Sequence, residues 1–279
     1  MLGLLSAPGL LAQPLTFQNF SETVELVALD NRHYFLPGQG IELRIAPRLI
    51  VKTSGGSNAD SIRRAHPAIG GVRKVFEGRH FEYFSVELQA GVPLPQVMAA
   101  LYQQAGTVLV QPDILQLRTQ SGQVGESVAA VPAWQKNARE EFWPRTLGQG
   151  VKLAIIDDGF DLSHTEFVGT RLALTYDVEG RQLSAAPSGK RDGHGTRVAG
   201  LIFAAHDGQG IDGLAPEAEL IAIRQPDTWT SNTLLAFQLA QLAGADVITC
   251  SWHSRWLLEP IRDVIEELAR HGRGGRGAA

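Results

Sequence analysis

The chain has 279 residues, 44% of them hydrophobic and 19% charged, a balance that excludes a disordered chain and a long coiled coil. Lys and Arg number 25 against 29 Asp and Glu, a net charge of −4, so no nucleic-acid partner held by counterion release is expected. The single cysteine, Cys250, excludes an intramolecular disulfide and any multi-cysteine metal site.

Met1 to Ala12 is apolar but too short to span a bilayer, and no later run is long enough, so no membrane span is expected. Residues 1–20 are set apart as an N-terminal segment, read either as a disordered terminus or as the remnant of a secretory signal. The second reading implies a secreted or extracytoplasmic protein, with a cytoplasmic one left open.

Residues 21–119 form a first pattern. Val24–Leu29 and Ile41–Ile45 read as a hairpin around the turn-rich Leu36-Pro37-Gly38-Gln39-Gly40. Arg48–Lys52 is a strand, and Asn58 or Asp60 caps a helix that stops at Gly70-Gly71. His80–Leu88 alternates as a half-buried strand, Leu94–Gln104 has the helical period, and Val108–Leu117 is a strand interrupted at Pro112. Strand, helix, strand, helix, strand implies a small split βαβ sandwich.

Residues 120–132 turn to Ser, Gly, Gln and Ala, a linker composition. From 133 the pattern becomes α/β. Val151–Ile156 is a continuous apolar strand, His194–Ala205 a helix and Leu220–Ile223 a strand. Ser231 caps a helix through Ala243, Val247–Cys250 is a further buried strand, and Leu257–His271 is the last helix. Strands alternating with helices imply a mostly parallel sheet with right-handed crossovers.

Two residues in this second pattern have the types and positions that proton transfer needs. Asp157 closes the strand Leu153-Ala154-Ile155-Ile156, at the carboxyl end where open α/β sheets bind ligands. His194 opens a helix within Asp192-Gly193-His194-Gly195-Thr196. The flanking glycines leave room beside the ring for a substrate backbone. Asp157 would orient the ring and His194 would act as general base.

The stretch Ala154-Ile155-Ile156-Asp157-Asp158-Gly159 through Phe167 resembles the aspartate motif of subtilisin-like serine proteases, and Asp192–Gly200 resembles their histidine motif. Gly213-Leu214-Ala215-Pro216 and Asp246-Val247-Ile248-Thr249-Cys250-Ser251-Trp252 are similar to two further family segments. The order Asp then His is that of subtilisin. The resemblance implies an α/β fold, with a small α+β prodomain-like domain preceding a subtilisin-like parallel-sheet domain over residues 133–279, incomplete at its C-terminus. It also implies a serine endopeptidase, with Asp157 and His194 as two members of its triad. The family's Gly-Thr-Ser motif is absent from these 279 residues. Ser231, Ser251 and Ser254 are the serines after His194, and none has the context of a nucleophile. An inactive fragment or pseudoenzyme acting as a binding or inhibitory module is the alternative.

The resemblance implies structural Ca²⁺ held by Glu166 and Asp207, with Ala205, Gln209 and Ile211 of the same loop. It implies that Ser251-Trp252-His253 pairs as an edge strand with an extended peptide. Its partners are then a peptide or protein substrate and the chain's own prodomain. Asp157-Asp158 and Gly272–Gly277 are similar to the kexin-like branch, which places acidic residues just after its Ser-Trp. Here His253-Ser254-Arg255 follow, so cleavage after dibasic sites is not expected. Gly208-Gln209-Gly210-Ile211-Asp212-Gly213 fits a dinucleotide fingerprint but follows a helix, the wrong context. His164, His206 and Asp207 lack the helical spacing of a zinc site, and Cys250 reads as packing.

Overall fold

The computed structural model describes residues 14–56, 58–116, 119–120, 138–189 and 192–271. The possible signal remnant before residue 14, most of the expected linker and the tail Gly272–Gly277 lie outside the described residues.

The first region is an antiparallel sheet. β1 (Leu15–Asn19) pairs with β2 (Glu22–Ala28), β2 with β3 (His33–Leu36), and β3 with the long β4 (Ile41–Thr53). Two corrections to the expected hairpin follow. β2 turns onto His33–Leu36 rather than onto Ile41–Ile45, and Ile41–Ile45 and Arg48–Lys52 are one strand. Pro47 marks a shift of register against the strand Thr107–Gln116 between Ile45 and Leu49, which makes a single strand read as two. The sheet also begins at Leu15, inside the segment set apart as N-terminal.

Beyond β4 come α1 (Ala59–Arg64), β5 (Ile69–Glu77), β6 (Glu82–Leu88), α2 (Leu94–Tyr102) and β7 (Thr107–Gln116). Asn58 is the cap of α1, accepting the Ser61 N–H at 2.8 Å. The helix ends at Arg64, and Gly70-Gly71 belongs to β5, where a register shift against β6 brings the Glu87 side chain across Gly71. β5 was therefore missed, its glycines being read as a helix stop when they mark a bulge. The two-residue β8 (Thr119–Gln120) follows.

The second region is a four-stranded parallel sheet in the order β10 (Arg171–Asp177), β11 (Glu219–Arg224), β9 (Lys152–Asp157), β13 (Val247–Thr249). Its helices are α3 (His194–Phe203), α4 (Thr230–Leu242) and α5 (Glu259–His271). β12 (Thr228–Trp229) and β14 (Trp252–His253) pair with the first region instead. The half-exposed Val247 makes β13 an edge of the described sheet and not the buried strand expected.

Alternation along each strand explains the layering. On β9 and β11, Ile155, Leu220 and Ala222 face α3, packing on Ala199 and Phe203. Ala154, Ile156, Ile221 and Ile223 face the other way, towards Leu234, Phe237 and Ala240 of α4. That same layer meets Ile50, Val75, Phe76 and Tyr83 of the antiparallel sheet. The sheet's opposite face packs on Ile62 of α1 and on Val97, Met98 and Leu101 of α2. The helices α4 and α5 are thus shared between two sheets.

Candidate active site

Asp157 is the last residue of β9 and fully buried. Parallel neighbours on both sides, β11 and β13, fix that strand and so fix where its carboxylate emerges. His194 is the first residue of α3, and its Nδ1 lies 3.0 Å from both carboxylate oxygens of Asp157. The ring is 9% exposed, so the pair is largely removed from water. A carboxylate on Nδ1 sets the ring's orientation, which leaves Nε2 as the nitrogen for proton exchange.

Gly195 is what allows this approach. A Cβ there would fall 2.6 Å from the Gly159 carbonyl oxygen and 2.9 Å from Asp157 Cβ. Gly159 is equally tight, a Cβ falling 2.9 Å from Pro187 Cα. From sequence, the space beside the glycines is expected to admit a substrate backbone. Around Gly195 that space is taken by the end of β9 instead.

Two further residues secure the histidine segment, and sequence reasoning assigned neither a role. Asp158 accepts the backbone N–H groups of His194 (3.3 Å) and Gly195 (2.8 Å). Arg224, which ends β11 opposite Asp157, donates to Asp177 at 2.8 Å, to Asp192 at 3.0 Å and to Ser188 at 2.6 Å. Burial opposes ionisation of Asp192, yet hydrogen bonds from Ser188 and Arg224 outweigh it and hold its carboxyl below the usual range. Burial likewise disfavours the Arg224 charge, and Asp192 and Asp177 outweigh that, raising its pKa. The available signal was an arginine ending an apolar strand, which demands carboxylate partners.

The expected substrate strand lies beside the pair. Trp252 donates its indole N–H to the Ile156 carbonyl at 2.8 Å, one residue before Asp157. Trp252 and His253 pair antiparallel with Gln120 and Thr119, while Thr228 and Trp229 pair with Gln116 and Leu115. The chain leaving the antiparallel sheet therefore meets two strands of the parallel-sheet region. Ser251, half-buried, immediately precedes this strand. Ser231 is inside the first turn of α4 rather than its cap; its N–H and hydroxyl both bond Asp113 of β7, at 3.0 and 2.7 Å. The carboxylate of Asp113 supplies that capping interaction from the neighbouring sheet.

Of the expected metal ligands, Glu166 and the loop 205–211 come together. The Ala205 N–H donates to the Glu166 carbonyl at 3.0 Å, and Gly210, at φ +60°, lies so close that a side chain there would collide with the Glu166 carboxylate. Asp207 Oδ1 accepts the Gln209 N–H at 2.9 Å, and the Ile211 side chain lies over Gly200 of α3. Carboxylates and main-chain carbonyls make an oxygen-only donor set, which fits a hard cation such as Ca²⁺. Among the described residues, no three His, Cys, Asp or Glu side chains cluster as a metal site. His164 accepts the Glu166 N–H, and His206 bonds the Gly213 carbonyl and lies against Trp143, so both are structural. The fingerprint-like glycines 208–213 lie in the loop between α3 and β11.

Residues 148–275 match the subtilase family. The chain is 38% identical over 115 residues to a calcium-dependent protease of Trichormus variabilis, covering 40% of this chain and 17% of that protein. It is also 38% identical over 115 residues to an intracellular serine protease of Paenibacillus polymyxa, covering 39% and 32%. It thus spans a third or less of these relatives' length. The structure of fervidolysin from Fervidobacterium pennivorans, a keratinolytic enzyme related to subtilisin, superposes with a TM-score of 0.59 at 20% identity. That superposition covers 81% of this chain and 38% of fervidolysin, and shows the fold.

Proposed function

We propose, on the premise that residues 148–275 are a subtilase-family domain, that this protein hydrolyses peptide bonds as a serine endopeptidase. The observation that carries the reading is the buried Asp157–His194 pair at the end of a parallel strand. In this reading His194 takes the proton from a serine hydroxyl as it attacks the peptide carbonyl, and returns it to the leaving amine. Asp157 stabilises the imidazolium formed in between. The serine would come from sequence beyond these 279 residues. A peptidase assay on a protein extended to include it tests the reading: His194→Ala should lower kcat by about 10⁴-fold or more. Unchanged hydrolysis in that variant would sink it.

The antiparallel region, by the same reading, is a prodomain that covers the cleft. Pairing of residues 115–116 with β12 and of 119–120 with β14 supports this, because a substrate peptide would use Ser251-Trp252-His253 in the same way. Its substrates are peptides or proteins in extended conformation.

Calcium belongs to the proposal as a structural ion, held by Glu166 and Asp207 with Ala205, Gln209 and Ile211. The oxygen-only donors around Gly210 support it, as does the likeness to the calcium-dependent protease of Trichormus variabilis. When bound, the ion would screen the two carboxylates and tie α3 to the turn after β9. Free Ca²⁺ at 100 times its dissociation constant should stabilise the fold by roughly 2.7 kcal/mol. Melting with Ca²⁺ against melting with chelator measures it, with Glu166→Ala as control. Equal melting temperatures would remove calcium from the account.

A further inference from the structure

We infer that Asp158 is a positioning residue for His194, holding the backbone of the residue whose ring Asp157 holds. The inference rests on the reading of Asp157 and His194 as the reacting pair. Asp158 is 6% exposed, and its two carboxylate oxygens are committed to two different donors, the N–H groups of His194 and Gly195. Those are first-turn groups of α3, which has no partner for them within the helix. The residue before the helix, Gly193, makes no side-chain cap bond. A carboxylate reaching in from the end of β9 therefore does the capping, at the helix end where negative charge is favoured.

The arrangement closes on itself. The Asp158 N–H donates to Asp157 Oδ1 at 2.7 Å, Asp157 bonds the His194 ring, and the His194 N–H returns to Asp158. Consecutive carboxylates thus fix one residue at both ring and backbone. A simple helix cap elsewhere on the molecule would stabilise its helix without touching the ring. Here release of the two N–H groups lets the start of α3 move relative to β9, and the 3.0 Å contact at Nδ1 moves with it.

Proton NMR of the whole 279-residue chain reads that contact directly, through the low-field Nδ1–H signal assigned by its absence in His194→Ala. Asp157→Asn should abolish the signal, which tests the pair itself. Asp158→Ala should keep the signal but speed its exchange with water by about tenfold or more, as loss of charge-assisted hydrogen bonds implies. Asp158→Asn keeps one acceptor oxygen and should fall between the two. Wild-type exchange in Asp158→Ala, with Asp157→Asn still losing the signal, overturns the role of Asp158 and leaves the pair intact. A signal that survives Asp157→Asn overturns the pair and this inference with it. If Asp158→Ala does not fold, Asp158→Asn decides, and wild-type exchange there overturns the inference.

Discussion

The parallel-sheet region packs one apolar cluster, from Ile155 and Phe160 through Ala199 to Leu220, wholly from its own residues. The antiparallel region has no such cluster: one takes in Trp256 and Leu258 from its neighbour, and the other is shared, Ile50, Val75, Phe76 and Tyr83 meeting Ile156, Leu234, Phe237 and Val264. The difference lies in what covers each sheet. Crossover helices come with a parallel sheet, so α3 covers one face as the strands are built. The antiparallel sheet has two short helices on one face only, and its other face is covered by α4 and α5. Residues 14–116 therefore complete their interior through docking, which teaches that the interface is part of their stability and not an addition to it.

The sharpest way to break this comparison is Trp256→Ala. Trp256 belongs by sequence to the second region, yet it is 7% exposed in the first region's cluster, its ring 6.1 Å from that of Phe17. Gln116 holds its backbone at both groups, accepting the Trp256 N–H at 3.0 Å and donating to its carbonyl at 2.7 Å. Truncation should cost about 3–5 kcal/mol in denaturant unfolding. Hydrogen exchange should rise first in β1–β3. Phe203→Ala, made in the self-contained cluster, should leave exchange in those strands at the wild-type rate. Equal effects of the two variants on β1–β3 would mean that both regions unfold as one unit.

Asp263 of α5 gives a second, smaller test, because it joins the regions through polar groups. It accepts from Lys52 Nζ at 2.5 Å and from the Tyr83 hydroxyl at 2.7 Å, and the Lys52 and Asp263 side chains are 17% and 11% exposed. Burial first, and the Asp263 charge second, push the Tyr83 phenol up, so it stays a neutral donor. Asp263→Ala leaves a lysine and a hydroxyl without this acceptor, at a cost of about 2–3 kcal/mol once partial exposure is allowed for. Asp263→Asn keeps an acceptor and should lose less. If both variants melt like the wild type, the interface is held by its apolar contacts alone.

The regions also differed in how much could be read from sequence. β9, α3, β11 and α5 are legible because each carries its own signal: an apolar run, a helical period, or a motif residue at the strand end. Asp157 and His194 needed no distant information, and they meet at 3.0 Å. β1, β3, β5 and β10 were not legible. His33–Leu36 is four residues long, and β5 opens on two glycines that a local rule reads as a stop. Asp113 was missed for another reason: its role as cap of α4 exists only across the interface. A local pattern finds what a local pattern stabilises. Arg224 falls in between, since its strand was found and its three partners, at positions 177, 188 and 192, were not.

That arginine sets the smallest effect, confined to the parallel-sheet region. The Asp192 carboxylate is held below the usual aspartate range, burial opposing and the hydrogen bonds from Ser188 and Arg224 prevailing. A carboxylate whose folded pKa is depressed adds stability above its unfolded value, and loses it as pH falls through the folded value. Above the ordinary aspartate value of 3.8 the contribution is whole; below it the contribution declines, and it ends beneath the depressed value. Arg224 keeps its charge throughout, its own pKa being raised, so within the Arg224–Asp192 pair it is the carboxylate that titrates. The melting temperature of Asp192→Asn should therefore lie below that of the wild type at neutral pH, and the gap should close on acidification through that window. Because Asp192 is two residues before His194, the His194 amide should gain exchange in the variant while β1–β3 keep theirs. A gap that stays constant with pH would assign the loss to packing around Ser188 rather than to the ion pair.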